Sequence, residues 1–188
     1  TPMGSFWISK DRQEMRFKII LDEIKKIKKS GFIELSDIGC GYGALANHLK
    51  LSNTINVKKY TGYDLNKNLI NICKKEINEY WTEFRVGSRP ETMTMFSVMS
   101  GTYNLAATKS IFSWQQYVES CLFNCWEKTS HAMIFNLQVS KKVRISKENI
   151  YYAEKSRVLD LCVSLFGPTK LVEHKELPND ATFVVLKI

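Results

Sequence analysis

Apolar and polar positions alternate along this chain in blocks that predict helices and strands in turn. From Asp11 to Ser30, apolar side chains recur at helical spacing and lysines fill the opposite face, which predicts a helix that stops at Gly31. Residues 32–38 are apolar at alternate or successive positions, as a buried parallel strand requires. The same reasoning predicts strands at 59–63, 81–86, 103–108 and 131–137, helices at 67–80 and 115–128, and a short helix or irregular segment at 93–100.

The C-terminal part follows a different pattern. Residues 139–150 carry Lys141, Lys142, Arg144 and Lys147, and they predict a loop long enough to act as a lid. A last helix is expected at 151–166. Two strands at 170–174 and 181–188, joined by a turn at 178–180, should pair as an antiparallel hairpin. Strands that alternate with helices in this way predict an α/β fold.

Composition narrows the class of protein. The 188 residues are 44% hydrophobic, which fits one globular domain over 1–188, with residues 1–5 set aside as tag-derived. No apolar run approaches the roughly 20 residues of a membrane span, so we expect no membrane partner. The five cysteines have no metal-binding spacing, so we expect no metal, reduced thiols and a cytoplasmic location.

One stretch carries the chemistry. Asp37 ends the predicted strand, and Gly39, Gly41 and Gly43 follow at every second position before a helix begins. Glycines allow a tight turn and the close approach of a ligand, and the amides of the next helix favour an anionic or nucleotide-type ligand. The same letters fit the dinucleotide fingerprint G-x-G-x-x-A through Ala44, so a nicotinamide oxidoreductase and a turn without a ligand remain alternatives.

A second acid supports a nucleotide site. Asp64 ends the next predicted strand, 25 positions after Gly39, near the spacing at which a carboxylate accepts hydrogen bonds from the hydroxyls of a ribose. The alternative is a charge that stabilises the start of the following helix, for which Asn66 is a suitable N-cap.

Three motifs together resemble a known family. The third glycine and Asp37 resemble the first motif of class I S-adenosylmethionine-dependent methyltransferases. The segment from Trp7 to Phe17, with its Gln-x-x-Arg-Phe pattern, and the segment 109–113 are similar to those of a group of small bacterial methyltransferases of unassigned substrate. The resemblance implies a three-layer, Rossmann-like, doubly wound sheet, mostly parallel, with an antiparallel C-terminal hairpin strand. Ser110, Ser113 and Asn104 depart from the pattern on the substrate side.

The resemblance also implies roles for individual residues. The cofactor is S-adenosyl-L-methionine, released as S-adenosyl-L-homocysteine, and residues 6–30 form a helix over its site. Asp37 and the backbone of Gly39, Cys40, Gly41 and Gly43 hold the methionine part, and Asp64 binds the ribose. Leu65 packs on the adenine, Ser88 lies at its edge, Thr108 lies by the sulfonium, and Gln13 and Arg16 reach the cofactor, Arg16 at its carboxylate. A surface salt bridge is the alternative for Arg16.

The acceptor is harder to predict. The expected reaction is in-line displacement on the sulfonium methyl, which needs a general base only for a protonated acceptor. No base emerges, since His48, His131 and His174 are expected to be structural. The substrate-side candidates are Lys109, Ser110, Phe112, Trp114, Tyr151 and Tyr152, and basic residues of 109–144 would suit an anionic acceptor.

We expect a small-molecule substrate and a monomer or homodimer. The net charge of +8 leaves RNA or protein as an alternative substrate, with nucleic acid not favoured because the lysines are scattered. A non-catalytic module that binds the cofactor is a second alternative.

Overall fold

The computed structural model describes residues 10–52 and 54–187, so the predictions for Trp7 and for residues 1–5 lie outside the described residues. The helices are α1 (Lys10–Ile27), α2 (Ala44–Ser52), α3 (Lys67–Glu76), α4 (Ile111–Glu127) and α5 (Lys155–Leu165). The strands are β1 (Ile33–Ile38), β2 (Val57–Asp64), β3 (Thr82–Val86), β4 (Thr94–Ser100), β5 (Thr129–Ser140), β6 (Arg144–Ile145), β7 (Tyr151–Glu154), β8 (Thr169–Val172) and β9 (Asp180–Leu186).

The strands form one mixed sheet. Strands β3, β2, β1, β4 and β5 lie side by side in that order and are all parallel. Strand β9 runs antiparallel to β5 along residues 132–138, and β8 pairs antiparallel with β9 on its far side. The end of β5 also pairs with β7, which forms a short hairpin with β6. The predicted Rossmann-like, mostly parallel sheet with an antiparallel C-terminal hairpin is confirmed.

Helices cover both faces of the sheet, and each face has its own core. One core joins α1, α2 and α3 to the sheet through fully buried side chains such as Ile20, Leu45 and Ile70. The other joins α4 and α5 to the opposite face through side chains such as Leu122 and Cys162. Because parallel strands β1, β2 and β4 all end at the same edge, the two layers leave a crevice above that edge.

The fourth strand lies earlier than the sequence predicts. The strand prediction at 103–108 and the irregular or helical prediction at 93–100 are both wrong, because β4 spans Thr94–Ser100 and pairs with β1 and β5. Residues 101–110 form the β4–α4 connection, so Asn104 and Thr108 lie in a loop. The sequence misleads because two methionines and two serines interrupt the strand-favouring Phe96 and Val98, and neither methionine nor serine favours strands by itself.

Two further boundaries are corrected. Helix α4 begins at Ile111, where Ser110 is the N-cap and accepts a hydrogen bond from the Ser113 amide at 3.2 Å. The predicted start at 115 left out this first turn. Residues 151–154 form strand β7 and not the start of the last helix, in keeping with the preference of tyrosine for strands. The expected loop at 139–150 contains β6 and the turn that joins it to β7.

Two other expectations are confirmed. Asn66 caps α3, with its side chain accepting from the Asn68 amide at 3.0 Å. Strands β8 and β9 pair through residues 169–172 and 182–185 as the predicted hairpin. Among the helices of the described residues, none combines the length and the apolar character needed to cross a bilayer.

Candidate functional site

The turn after β1 has the backbone geometry that its glycines predict. Gly39, Gly41 and Gly43 all have positive φ, at 74°, 58° and 78°. The Gly39 amide donates to the carbonyl of Tyr63 on β2 at 2.7 Å, which holds the turn against the neighbouring strand. A Cβ on Gly43 would lie 2.4 Å from Cδ1 of Ile77, so helix α2 starts in close contact with the residue that follows α3. The turn is therefore rigid and open toward the crevice.

Asp64 completes this turn from the next strand. One carboxylate oxygen accepts from the Gly41 amide at 3.0 Å, and the other accepts from the Asn66 amide at 2.8 Å. Both bonds orient the carboxylate at the mouth of the crevice. Next to it, the Leu65 side chain is 67% exposed and lines the crevice.

Asp37 lies at the end of β1 and is almost fully buried. Its carboxylate accepts from the hydroxyl of Tyr60 at 2.6 Å. Burial raises the pKa of Asp37 to about 7, with a further increase from the negative charge of Asp64, while the bond from Tyr60 opposes the shift. The site thus holds a carboxyl group that changes charge near neutral pH.

A cavity of about 720 Å³ occupies the crevice. It extends over the ends of β2, β1, β4 and β5, a distance of about 14 Å at the usual strand separation. The residues predicted to bind the cofactor that line it are Gln13, Arg16, Asp37, Gly39, Cys40, Gly41, Asp64, Leu65, Ser88 and Thr108. Gly43 lies behind the turn, packed against α3. The thiol of Cys40 is buried, and its pKa is raised by a hydrogen bond with Cys73 and by burial.

Of the six substrate-side candidates, one lines the cavity and five do not. Trp114 lines the cavity, and its indole N–H donates to the carbonyl of Tyr103 at 3.2 Å. Lys109, Ser110, Phe112, Tyr151 and Tyr152 do not line it. Lys109 instead donates to the carbonyls of Ser146 and Lys147 at 2.9 and 2.8 Å.

The prediction that these basic residues line the pocket is wrong for this cavity. Lys141, Lys142 and Arg144 do not line it, and the Arg144 guanidinium stacks on the ring of Tyr152 at 3.7 Å. The predicted lid region instead holds the β4–α4 connection, through a bridge between Leu105 and Ile150 and a bond from the Tyr151 amide to the Asn104 carbonyl. The three histidines of the chain also lie outside the cavity lining.

Arg16 has a partner that the sequence does not reveal. Its guanidinium makes a bidentate ion pair with Asp180 at the start of β9, with Nε 3.1 Å from each carboxylate oxygen. Both side chains are at least 95% buried, so the expected surface salt bridge is in fact a buried one. Asn136 also donates to Asp180 and accepts from the Gly101 amide at 2.6 Å. This network fixes α1 above the ends of β4 and β5.

Three residues that the sequence reasoning did not select also line the cavity: Arg12, Asn104 and Gln138. Arg12 lies one helical turn before Arg16, and this spacing was a signal that both face the same way. Asn104 was noted only as a departure from the family pattern, and Gln138 gave no signal, because the two residues meet only through the pairing of β4 with β5. In the described part of the chain, no group of three His, Cys, Asp or Glu side chains is placed to hold a metal ion.

Gly39→Ala is expected to lower the free energy of unfolding by about 1–3 kcal/mol. The new Cβ would lie 2.5 Å from Cγ2 of Thr102, and Thr102 is held by a 2.6 Å hydrogen bond to the Ile38 carbonyl. Gly87→Ala is the control, because its Cβ would meet only Tyr63 Cδ1 at 3.5 Å. Urea denaturation of both variants measures the difference, and equal effects would contradict the geometry.

Comparisons with known proteins agree with this geometry. Residues 36–128 match the family model described as a methyltransferase domain. The proposed methyltransferase Rv1506c of Mycobacterium tuberculosis is 23% identical over 155 residues, covering 81% of this chain and 92% of that protein.

Solved structures share the fold. One is the magnesium protoporphyrin IX methyltransferase of Synechocystis PCC 6803 with bound S-adenosylhomocysteine, with a TM-score of 0.68 and 8% identity over 94% of this chain and 84% of the other. Another is CalS10, an amino pentose methyltransferase of Micromonospora echinaspora, with a TM-score of 0.67 and 8% identity over 93% of this chain and 92% of the other. The domain match, the order of the strands and the glycine turn lead to one assignment: residues 36–128 are a methyltransferase domain, and the chain has the fold of the class I S-adenosylmethionine-dependent methyltransferases.

Proposed function

We propose that this methyltransferase acts on a small-molecule acceptor inside the cavity above β1, β2, β4 and β5. The observation that carries the proposal is the cavity itself. Its volume of about 720 Å³ is within the usual range for small-ligand sites and leaves room for an acceptor beside the cofactor. The exposed lysines that give the chain its charge do not line it in the described residues, which favours a small acceptor over RNA.

The positions of the side chains support specific roles for the cofactor. Asp64 is oriented by two backbone amides and is placed to accept from the ribose hydroxyls, while the exposed Leu65 offers an apolar surface to the adenine. Ser88 lies at the end of β3 beside that surface. The adenosine then occupies the β2 end of the cavity, and the methionine part extends along the glycine turn toward Asp37.

The first helix, α1, offers fewer groups to the cofactor, because Gln13 and Arg16 also bind other side chains. Gln13 accepts from the hydroxyl of Tyr42 at 2.9 Å, so its side-chain N–H groups face the cavity end of the turn. Arg16 gives its Nε and Nη2 groups to Asp180, and a contact with the cofactor carboxylate remains a prediction. Thr108 lines the cavity and accepts from the Ser110 amide at 3.1 Å, and its proposed position by the sulfonium remains a prediction.

In this arrangement the methyl group points toward the ends of β4 and β5. S-adenosylmethionine supplies an activated methyl group, and the protein holds the acceptor in line and excludes water. Incubation with methyl-labelled cofactor and three separate fractions (ultrafiltered metabolites, total RNA and denatured protein) tests the proposal. Label in the metabolite fraction alone is the expected result, and label mainly in RNA or protein would contradict it.

A further inference from the structure

The acceptor end of the cavity has a polar wall made of Arg12 on α1, Asn104 after β4 and Gln138 on β5. We call these three residues the acceptor wall. Gln138 lies directly opposite Asp180 in the β5–β9 ladder, so their side chains share the face of the sheet that α1 covers. The wall is therefore one contiguous surface, at the opposite end of the cavity from Asp64.

Asn104 presents hydrogen-bond donors to the cavity. Its side-chain oxygen accepts from the backbone N–H of Gln138 at 2.8 Å, and this bond fixes the orientation of the Asn104 side-chain amide. Its side-chain nitrogen has no protein partner within the described ranges 10–52 and 54–187, although Asn104 is only 8% exposed. This nitrogen therefore has a donor capacity that the described residues do not use, and a ligand in the cavity can accept from it.

Gln138 repeats this pattern. It is 6% exposed, and within the described part of the chain its side-chain amide has no hydrogen-bond partner. Two residues that are more than nine-tenths buried thus carry unused amide donors at one end of the cavity, and Gln138 lies opposite Asp180, which belongs to a cluster of charges.

That cluster contains two cations and one anion. Arg12 Nη2 lies 3.8 Å from the Asp180 carboxylate, which Arg16 already holds in bidentate fashion. The Arg12 side chain is 29% exposed, whereas Asp180 is 3% exposed, so the ligand meets the guanidinium and not the carboxylate. The acceptor wall is rich in donors and positively charged, which suits an oxygen-bearing anion.

Among the described residues that line the cavity, none beside this wall is a suitable base. Among the described lining residues, burial raises the pKa values of Tyr103, Tyr117 and Cys121, so these groups stay protonated at neutral pH. Asp37 and Asp64 lie toward the other end, engaged by Tyr60 and by backbone amides. The sequence of residues 1–9 has no His, Asp, Glu, Lys, Tyr or Cys that would add one.

From the donor-rich wall and the missing base, we propose that the methyl acceptor is a carboxylate and that the product is its methyl ester. This inference rests on the proposed function. An acceptor oxygen lone pair forms the new O–CH₃ bond while the C–S bond breaks and its electron pair stays on sulfur. The carboxylate and the sulfonium are consumed together and yield a neutral ester and a neutral thioether. No proton is released, so no base is needed.

The remaining lining indicates what the acid is attached to. Leu105, Ile150, Tyr103 and Trp114 surround the cavity beside the wall, and they form a mostly apolar surface. The acceptor is therefore an acid with an aromatic or aliphatic body rather than a small, highly polar one.

The test uses a panel of aromatic and medium-chain aliphatic carboxylic acids, each matched with its primary amide, alcohol and amine. The protein is incubated with methyl-labelled cofactor, and the products are treated with mild alkali. An ester releases its label as volatile methanol, whereas methyl ethers, methylamines and C-methyl products keep it. We expect label that alkali releases, from acids only.

Variants of the acceptor wall connect the product to these residues. Asn104→Asp keeps the oxygen that accepts from Gln138 and replaces the donor nitrogen by a negative oxygen, so kcat/KM for acids should fall about 10- to 100-fold. Arg12→Gln should raise KM for the acid and leave the affinity for S-adenosylhomocysteine unchanged. Asn71→Asp, exposed on α3, adds the same charge away from the cavity and is the control.

The possible results distinguish the carboxylate proposal from the proposed function on which it rests. Label that resists alkali, or turnover of only the uncharged acceptors, would overturn the proposal. So would S-adenosylhomocysteine binding without binding or methylation of any acid, and this result would leave the proposed function standing. Weaker S-adenosylhomocysteine binding by Arg12→Gln would assign Arg12 to the cofactor carboxylate instead. If wild type does not bind S-adenosylhomocysteine at all, the proposed function itself fails.

Discussion

Replacing Arg16 by methionine is expected to lower the free energy of unfolding by about 3–5 kcal/mol. The change leaves the Asp180 carboxylate 3% exposed and without its bidentate partner. A buried charge that loses its counterion costs far more than an exposed one, because water cannot replace the lost contact. Arg12, at 3.8 Å, compensates in part and favours the lower end of the range. Urea denaturation at neutral pH measures the change.

An exposed ion pair provides the control for this prediction. Lys58→Met removes a 2.8 Å pair with Glu34 in which the lysine is 68% exposed, and it should cost at most about 1 kcal/mol. The double variant Arg16→Met/Asp180→Leu should recover part of the loss, since it removes the unpaired charge as well. If Arg16→Met costs no more than Lys58→Met, the buried network does not hold α1 in place.

Asp37→Asn is expected to stabilise the protein above neutral pH by up to about 4 kcal/mol. Burial raises the pKa of Asp37 from 3.8 to about 7, so between these values the folded state binds the proton and the unfolded state releases it. Stability falls as pH rises wherever the folded state holds more protons. The penalty is therefore absent below about pH 4, grows up to pH 7, and is constant above it. Asparagine carries no such penalty and still accepts from Tyr60.

The measurement is the difference in unfolding free energy between Asp37→Asn and wild type across this pH range. Other titrating groups are common to both proteins and cancel in the difference. A difference that does not change with pH, or that becomes smaller toward high pH, would contradict the raised pKa. The same variant should bind S-adenosylhomocysteine more weakly, because the proposed contact of Asp37 with the methionine part is lost.

The sequence selected residues that line one cavity because their signals are local. Glycines at every second position, an acid before them and a second acid at the end of the next strand are all set by neighbouring residues. The structure places Asp37, Gly39 and Asp64 at the ends of β1 and β2, around one cavity. Parallel strands bring these ends together whatever the helices between them contain.

The fourth strand could not be located in the same way. Residues 94–100 form a strand because β1 and β5 flank them, and Ser97 is fully buried, with its hydroxyl 2.7 Å from that of Thr129. This pairing depends on distant residues, and the apolar residues of the segment (Met95, Phe96, Val98 and Met99) do not by themselves distinguish a strand from a helix. Because the fourth strand was predicted too late in the chain, the start of α4 was also predicted too late. Phe112 and Lys109 were therefore selected as substrate-side residues, although they do not line the cavity.

The sequence could not predict the acceptor wall or the Arg16–Asp180 pair for the same reason. Arg16 and Asp180 are separated by 164 positions, and Asn104 and Gln138 by 34. Each contact depends on the order in which β4, β5 and β9 lie side by side, which no local spacing encodes. Residue type alone indicated a salt bridge for Arg16. It did not indicate that the pair is buried, which is why its loss should lower the free energy of unfolding so strongly.

The most direct test of the central claim is calorimetric titration of S-adenosylhomocysteine into wild type and Asp64→Ala, with NAD as the control ligand. Asp64 is held by the amides of Gly41 and Asn66, and its replacement would remove the contacts that we propose with the two ribose hydroxyls. We predict binding by wild type, at least about tenfold weaker binding by the variant, and no heat from NAD. Equal affinity in both proteins would contradict the assigned cofactor site, and NAD binding in the same cavity would contradict the account as a whole.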